Sequence, residues 1–187
     1  MIMSDELILN CLKGKRGAEE ALFKHCYAML WNLCRLYSND EQEAMSYMNL
    51  GFYKILKGLK KRKKEVPFDN WAKRVLINAI IDEKRKNNKF HFAELGDVHY
   101  IEHQRLTLDE VIFGDETCAY IMQSIKRLPE TTATIFSLFA VNEFNYNEIA
   151  ELMKIKEVTV RWHVSEARKK LSADLLVSKV SKHGKSG

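Results

Sequence analysis

Near its end the chain gathers Arg161, Trp162, Ser165, Arg168 and Lys169, with Thr159 just ahead of them. Guanidinium, hydroxyl and ammonium donors around one flat ring form no acid–base pair. They suit contacts to phosphates and to base edges in a duplex groove. A second group lies upstream: Lys60–Lys64 reads KKRKK, followed by Arg74, Asn78, Asp82, Arg85 and Lys86. The lysine-rich run either holds phosphates or is a solvated loop. Asn78 either offers its amide fork to a base or hydrogen-bonds Asp82 one turn on. Trp71 is either a core anchor or a stacking platform. His99 and His103, four apart beside Glu102, have a spacing that suits one helix face, but HYIEH is not HExxH and no third ligand is evident. No Gly-rich phosphate loop or nucleophile motif occurs, so no enzymatic activity, cofactor or metal is expected.

The elements that must position these groups are helices. Val160, Val164, Ala167 and Leu171 fall at i, i+4, i+7 and i+11, which buries one helix face. Arg161, Trp162, His163, Ser165, Arg168 and Lys169 are then expected to point away from the core. Ile149, Ala150, Leu152 and Met153 form a shorter stripe, joined to the longer one through Lys154-Ile155-Lys156-Glu157, the layout of a helix-turn-helix. Lys154 stands where glycine is common, and Lys156 brings no side-chain acceptor to the N-cap. Two core-packing helices in an all-α domain remain the alternative reading of this periodicity. Upstream, Leu22, Cys26, Leu30, Leu33 and Tyr37 predict a helix over 18–37, with Phe23 and Cys34 beside the stripe. Asn39 and Asp40 are placed to cap the next, which carries Ala44, Met48, Phe52, Ile55, Leu56 and Leu59 before KGLKKRKKEVP ends it. Another starts near Phe68, after Pro67, and pairs Trp71 with Ala72, Val75 with Leu76 and Ala79 with Ile80.

Of 187 residues 46% are apolar, and only two are proline and eight glycine. With 3.6-residue stripes throughout and no strand alternation of note, this predicts an all-α protein. The start MIMSDELILNCLKGKRG lacks a basic segment followed by a long apolar run, and VLINAII (75–81) is too short for a span and broken by Asn78. No membrane insertion and a cytoplasmic location are expected. Cys11, Cys26, Cys34 and Cys118 form no CxxC pair and are expected as buried thiols. Net charge is +5, unevenly spread: residues 54–89 hold 13 Lys+Arg against 4 Asp+Glu, 90–117 hold 1 against 7, and 152–187 hold 9 against 3. Two basic blocks, each fused to a patterned helix, point to a polyanion bound at two places, with an acidic linker between.

WAKRVLINAIIDEKRK (71–86) resembles the W-L-x-x-I-A-x-N-x-x-x-D-x-x-R-K signature of region two in the sigma-70 family, most closely its extracytoplasmic-function (ECF) group. LPETTATIFSLFAVNEFNYNEIAELMKIKEVTVRWHVSEARKKL (128–171) resembles region four, with its Leu-Pro opening, central E-I-A, T-V and closing A-R-K-x-L. The resemblance implies two small helical domains: 1–89, similar to region two, and 118–175, similar to region four. They would be joined by an acidic flexible linker at 90–117 and followed by a basic, disordered tail at 176–187.

It further implies a non-catalytic subunit that docks on core RNA polymerase, recognises promoter DNA and helps open the duplex. Thr159, Arg161, Trp162, Ser165, Arg168 and Lys169 would read the minus-thirty-five element. Lys61, Arg62, Lys63, Trp71, Arg74, Asn78 and Arg85 would hold the melted minus-ten strand. The polymerase-gripping segment A-E-D-L-x-Q-E-x-F is AMSYMNLGF here (44–52), so Ser46 replaces an acid, Asn49 a glutamine and Leu50 a glutamate. Asp40, Glu43, Ser46, Asn49 and Phe52 are then the expected contacts, with Asp40, Glu41 and Glu43 restoring the charge or the surface being more apolar than usual. Trp162 stands where a small residue is usual, and Thr131, Thr132 and Ala133 stand where arginines are common. In so short a chain both polymerase-facing surfaces are easy to occlude, which makes an anti-sigma factor a candidate partner. The rival readings are a LuxR-like two-domain regulator, which would bind a palindrome as a dimer, and the metal-dependent enzyme of His99 and His103.

Overall fold

The computed structural model describes residues 5–87, 90 and 115–183, and side chains over 121–174 in the last stretch. Among the described residues all regular structure is helical: α1 Asp5–Leu12, α2 Ala18–Tyr37, α3 Glu41–Gly58, a 3-10 turn Leu59–Lys61, α4 Phe68–Lys86, α5 Asp115–Lys126, α6 Glu130–Ala140, α7 Tyr146–Met153 and α8 Glu157–His183. Contacts divide the chain into two compact units, Met1–Asn87 and Asn88–Gly187.

In the first unit α2, α3 and α4 pack on one another and α1 rests on α2. Leu22, Cys26, Leu30 and Cys34 of α2 meet Ala44, Met48 and Ile55 of α3 and Ala72, Leu76, Ala79 and Ile80 of α4, all fully buried. Each large apolar side chain so buried contributes about 1.5–3 kcal/mol. Ile77 and Ile81 are buried too, so the apolar face of α4 is wider than its sequence pairs indicate. Asp40 caps α3, its carboxylate accepting from the Glu43 backbone N–H at 2.7 Å, while Glu43 accepts from the Asn39 N–H at 2.8 Å. At Gly51 the helices α3 and α4 come so close that a Cβ would run into the Leu76 side chain. Buried Cys11, Cys26 and Cys34 are free thiols, and burial pushes Cys26 and Cys34 up to about 12, out of the reactive range. The side chain of Cys118 lies outside the described residues.

In the second unit α6, α7 and α8 pack mutually and α5 lies against α6 and α8. Val160, Val164, Ala167 and Leu171 are all buried, as their spacing predicts, against Ile135, Phe136 and Leu138 of α6 and Ile149 and Met153 of α7. The helix α7 opens on a capping box in which Asn145 and Glu148 each accept the other's backbone N–H at 2.9 Å. It closes at Lys154, left-handed at φ 58°, with the Ile155 N–H reaching the Ala150 carbonyl at 3.0 Å. Lysine therefore occupies the conformation that glycine adopts without a steric penalty. The last helix continues to His183, into the stretch expected as a tail; from 157 to 183 no glycine or proline interrupts it. Most of the expected linker, with His99, Glu102 and His103, lies outside the described residues.

Candidate nucleic-acid interface

The exposed face of α4 carries Asn70, Arg74 and Asn78, one turn apart. Asp82 does not take up Asn78: its carboxylate pairs with Arg85 on the same helix and with Lys54 of α3 at 3.6 Å. Among the described residues no hydrogen bond joins Asn78 to Asp82, so the structural role considered for this amide is not found. Trp71 is half-buried, tilted against Phe68 at 5.8 Å between centroids, and the edge of its ring lies 3.0 Å from where a Gly58 Cβ would stand. Its ring is therefore wedged into the α3–α4 seam with part of it open to solvent.

Lys60 and Lys61 in the 3-10 turn, and Lys63 and Lys64 between it and α4, are exposed. Arg62 departs from this set. Its side chain is only 7% exposed, donates to the Val66 carbonyl at 2.7 Å and pairs with Asp5 at 3.7 Å. Arg62, expected among the minus-ten contacts, thus ties this loop to its own backbone.

Elsewhere in this unit, several expected polymerase contacts are engaged in building α3. Asp40 is its cap, Glu43 accepts from the Asn39 N–H and from the Tyr47 hydroxyl at 2.6 Å, and Ser46 donates to the Gln42 carbonyl. Phe52 is half-buried, edge-on to Phe23 at 4.9 Å. Asn49 is exposed, and so are Met45 and Tyr53, one turn away in either direction. These two lie outside the expected contacts, and their i, i+4, i+8 spacing with Asn49 is the signal that marks them along the chain. The exposed residues here, Met45, Ser46, Asn49 and Tyr53, mix apolar and neutral polar groups where acids are usual, and Lys57 lies 5.6 Å over the Tyr53 ring.

In the second unit α8 begins at the turn after Lys154 and presents Thr159, Trp162 and Ser165 half-buried and Lys169 exposed. His163 is the correction: it is buried, its Nδ1 2.9 Å from the Thr132 hydroxyl of α6 and its ring edge-on to Trp162 at 4.8 Å. The buried stripe of α8 includes position i+3 from Val160 as well as i+4, and His163 occupies it. Burial lowers the pKa of His163 to about 4, so it enters this helix as a neutral ring. Thr131 and Thr132, at positions where arginines are common, are both buried, Thr132 against His163.

Arg161 does not extend freely. Its Nε and Nη2 both lie against Glu157 Oε1, at 2.7 and 2.5 Å, and its guanidinium lies 4.4 Å over the Tyr146 ring. Tyr146 stacks in parallel on Phe139 at 4.8 Å, and Arg168 lies 5.4 Å over Phe139. Arg168 Nε is buried without a hydrogen-bond partner among the described residues.

Two helical units, the second a helix-turn-helix with arginine, tryptophan and hydroxyl groups along its second helix, define a protein that reads DNA. Among the described residues no group of His, Cys, Asp or Glu could hold a metal, and no helix is long and apolar enough to cross a membrane. Comparison with known families specifies the class: residues 22–90 match the profile of sigma-70 region 2, and residues 118–171 that of sigma-70 region 4. The chain belongs to the sigma-70 family, in its ECF group. Among curated proteins it is similar to the ECF RNA polymerase sigma factor SigM of Mycobacterium tuberculosis, 22% identical with 89% of this chain and 82% of that one covered. It is likewise similar to the ECF RNA polymerase sigma factor SigW of Bacillus subtilis, 26% identical with 84% of each covered. A search of solved structures finds CnrH in complex with the cytosolic domain of CnrY, at 17% identity and TM-score 0.49, covering 91% of this chain and 96% of that one. Neither the LuxR-like regulator nor the metal enzyme gains support from these matches.

Proposed function

We propose that this chain is the promoter-specificity subunit of an RNA polymerase, acting in the cytoplasm as an ECF sigma factor and carrying out no covalent chemistry of its own. The observation that carries the reading is the succession of region 2 and region 4 in one chain, in that order. Thr159, Arg161, Trp162, Ser165, Arg168 and Lys169 contact the minus-thirty-five duplex through its major groove, where a helix fits and base edges are distinguishable. Lys61, Lys63, Trp71, Arg74, Asn78 and Arg85 hold the minus-ten strand after melting, by phosphate contacts, stacking and amide-to-base bonding.

The polymerase docks on α3 around Ser46, Asn49 and Phe52, and exposed Met45 and Tyr53 supply apolar area in place of charge. Asp40 and Glu43 shape that surface by capping the helix. An anti-sigma protein covering the same face would block docking. The test is transcription with purified core polymerase on genomic fragments, together with co-elution of chain and core on gel filtration. Initiation that depends on the chain is expected; absence of both co-elution and transcripts would overturn the reading.

A further inference from the structure

Arg161 and Arg168 are seven residues apart, two turns along one side of α8, or about 10 Å of helix axis. Two rings from other elements bridge that distance: Tyr146, the first residue of α7, and Phe139, near the end of α6. The four flat groups follow in series, guanidinium, phenol ring, phenyl ring and guanidinium, with successive separations of 4.4, 4.8 and 5.4 Å. The two rings are within 3° of parallel, and each cation lies over one of them.

An arginine on an exposed helix ordinarily samples many rotamers, and a bidentate contact to a base requires that freedom to be given up. Here two restraints act on Arg161 in different directions. Glu157 holds one edge of the guanidinium through Nε and Nη2, and the Tyr146 ring lies 4.4 Å from its central carbon. An exposed ion pair contributes little stability by itself, so the effect of this arrangement is on orientation. The ring that orients Arg161 is in turn held by Phe139, whose far neighbour is Arg168.

We propose that Tyr146, backed by Phe139, is a specificity-determining positioning residue: it sets the plane of the Arg161 guanidinium and so the base-pair preference of α8, without touching DNA. The inference rests on the reading of Arg161 as a base contact. Neither ring belongs to α8, so part of the promoter choice is encoded in α6 and at the first residue of α7.

The test is transcription by core polymerase with the full-length chain on templates randomised across the upstream element, scored as the ratio of best to second-best base at each position. Arg161→Ala identifies the positions that depend on this side chain. Tyr146→Leu is expected to lower discrimination at those same positions by about two- to tenfold, the range of one cation–π contact. Tyr146→Phe, which keeps the ring, is expected to retain it. Glu157→Gln loosens the other restraint at a half-buried surface position and is expected to act in the same direction; it also serves if Tyr146→Leu fails to fold. Discrimination that is lost in Arg161→Ala but unchanged in both Tyr146→Leu and Glu157→Gln would overturn the positioning role. If Arg161→Ala leaves every position unchanged, the base contact itself is wrong and the inference falls with it.

Discussion

A neutral imidazole buried against Thr132 makes the second unit sensitive to acid. The pKa of His163 is about 4 in the folded protein, below the ordinary 6.5, because burial disfavours its charged form. Between these values the unfolded chain binds a proton that the folded chain excludes. The associated stability is therefore complete above about pH 6.5 and is lost as pH falls toward 4, in total on the order of 3 kcal/mol. Trp162 is the only tryptophan after Trp71 and packs against His163, so it reports on this site once Trp31 and Trp71 are replaced by Phe. Thermal melts followed through it should shift down between pH 6.5 and 4, and His163→Gln should flatten that slope. An unchanged slope in the variant would assign the acid sensitivity to carboxylates elsewhere. The inward turn of His163 was hidden because its four apolar neighbours already formed a sufficient stripe, and a polar residue at i+3 adds nothing to a hydrophobic pattern. Arg62 was hidden for a similar reason: in KKRKK all five cations look alike, and only the carbonyl of Val66 singles one out.

Helix starts, by contrast, were legible at α3 and α4, though not at the Asn145–Glu148 capping box that opens α7. Asp40 accepts from the Glu43 N–H and starts α3 as its position implies, and Pro67 stands directly before α4. The bend between α7 and α8 was legible as a departure: Lys154 stands where glycine is common, and it is left-handed at φ 58°. An L-residue there incurs about 1–2 kcal/mol, partly offset by the greater chain entropy that glycine loses on folding. Lys154→Gly should therefore stabilise the second unit by about 0.5–1 kcal/mol, measured by denaturant or thermal unfolding, with the α7 capping box unaffected. A loss of stability would mean that the lysine side chain contributes more than its backbone costs. Contacts between elements could not be read from the sequence. The stack of Phe139 on Tyr146 joins residues that share no helix, and only the i, i+4 pairing of Glu157 with Arg161 left a trace along the chain.

If the proposed roles of the two units hold, binding to duplex and capture of a single strand are separable properties of one chain. Arg161→Ala should weaken recognition of the upstream element, by roughly 1–3 kcal/mol, while leaving strand opening intact where the complex forms. Asn78→Ala should leave closed-complex binding nearly unchanged and reduce the yield of open complex, since a base becomes available to an amide only after unpairing. Permanganate footprinting distinguishes the two, and a pre-melted bubble should rescue part of the first defect and none of the lost base contact. Equal weakening of duplex binding by both changes would merge the two roles. The same compactness constrains what genetics can show. Gly51 lies between Asn49 and Phe52, and any side chain on it would strike Leu76, two residues before Asn78 on the opposing helix. A survey of random substitutions would score position 51 as intolerant and, from its neighbours, assign it to polymerase docking. Its intolerance would instead record the distance between two helices, and a revertant would map to a smaller residue at 76, on the helix proposed to hold the minus-ten strand.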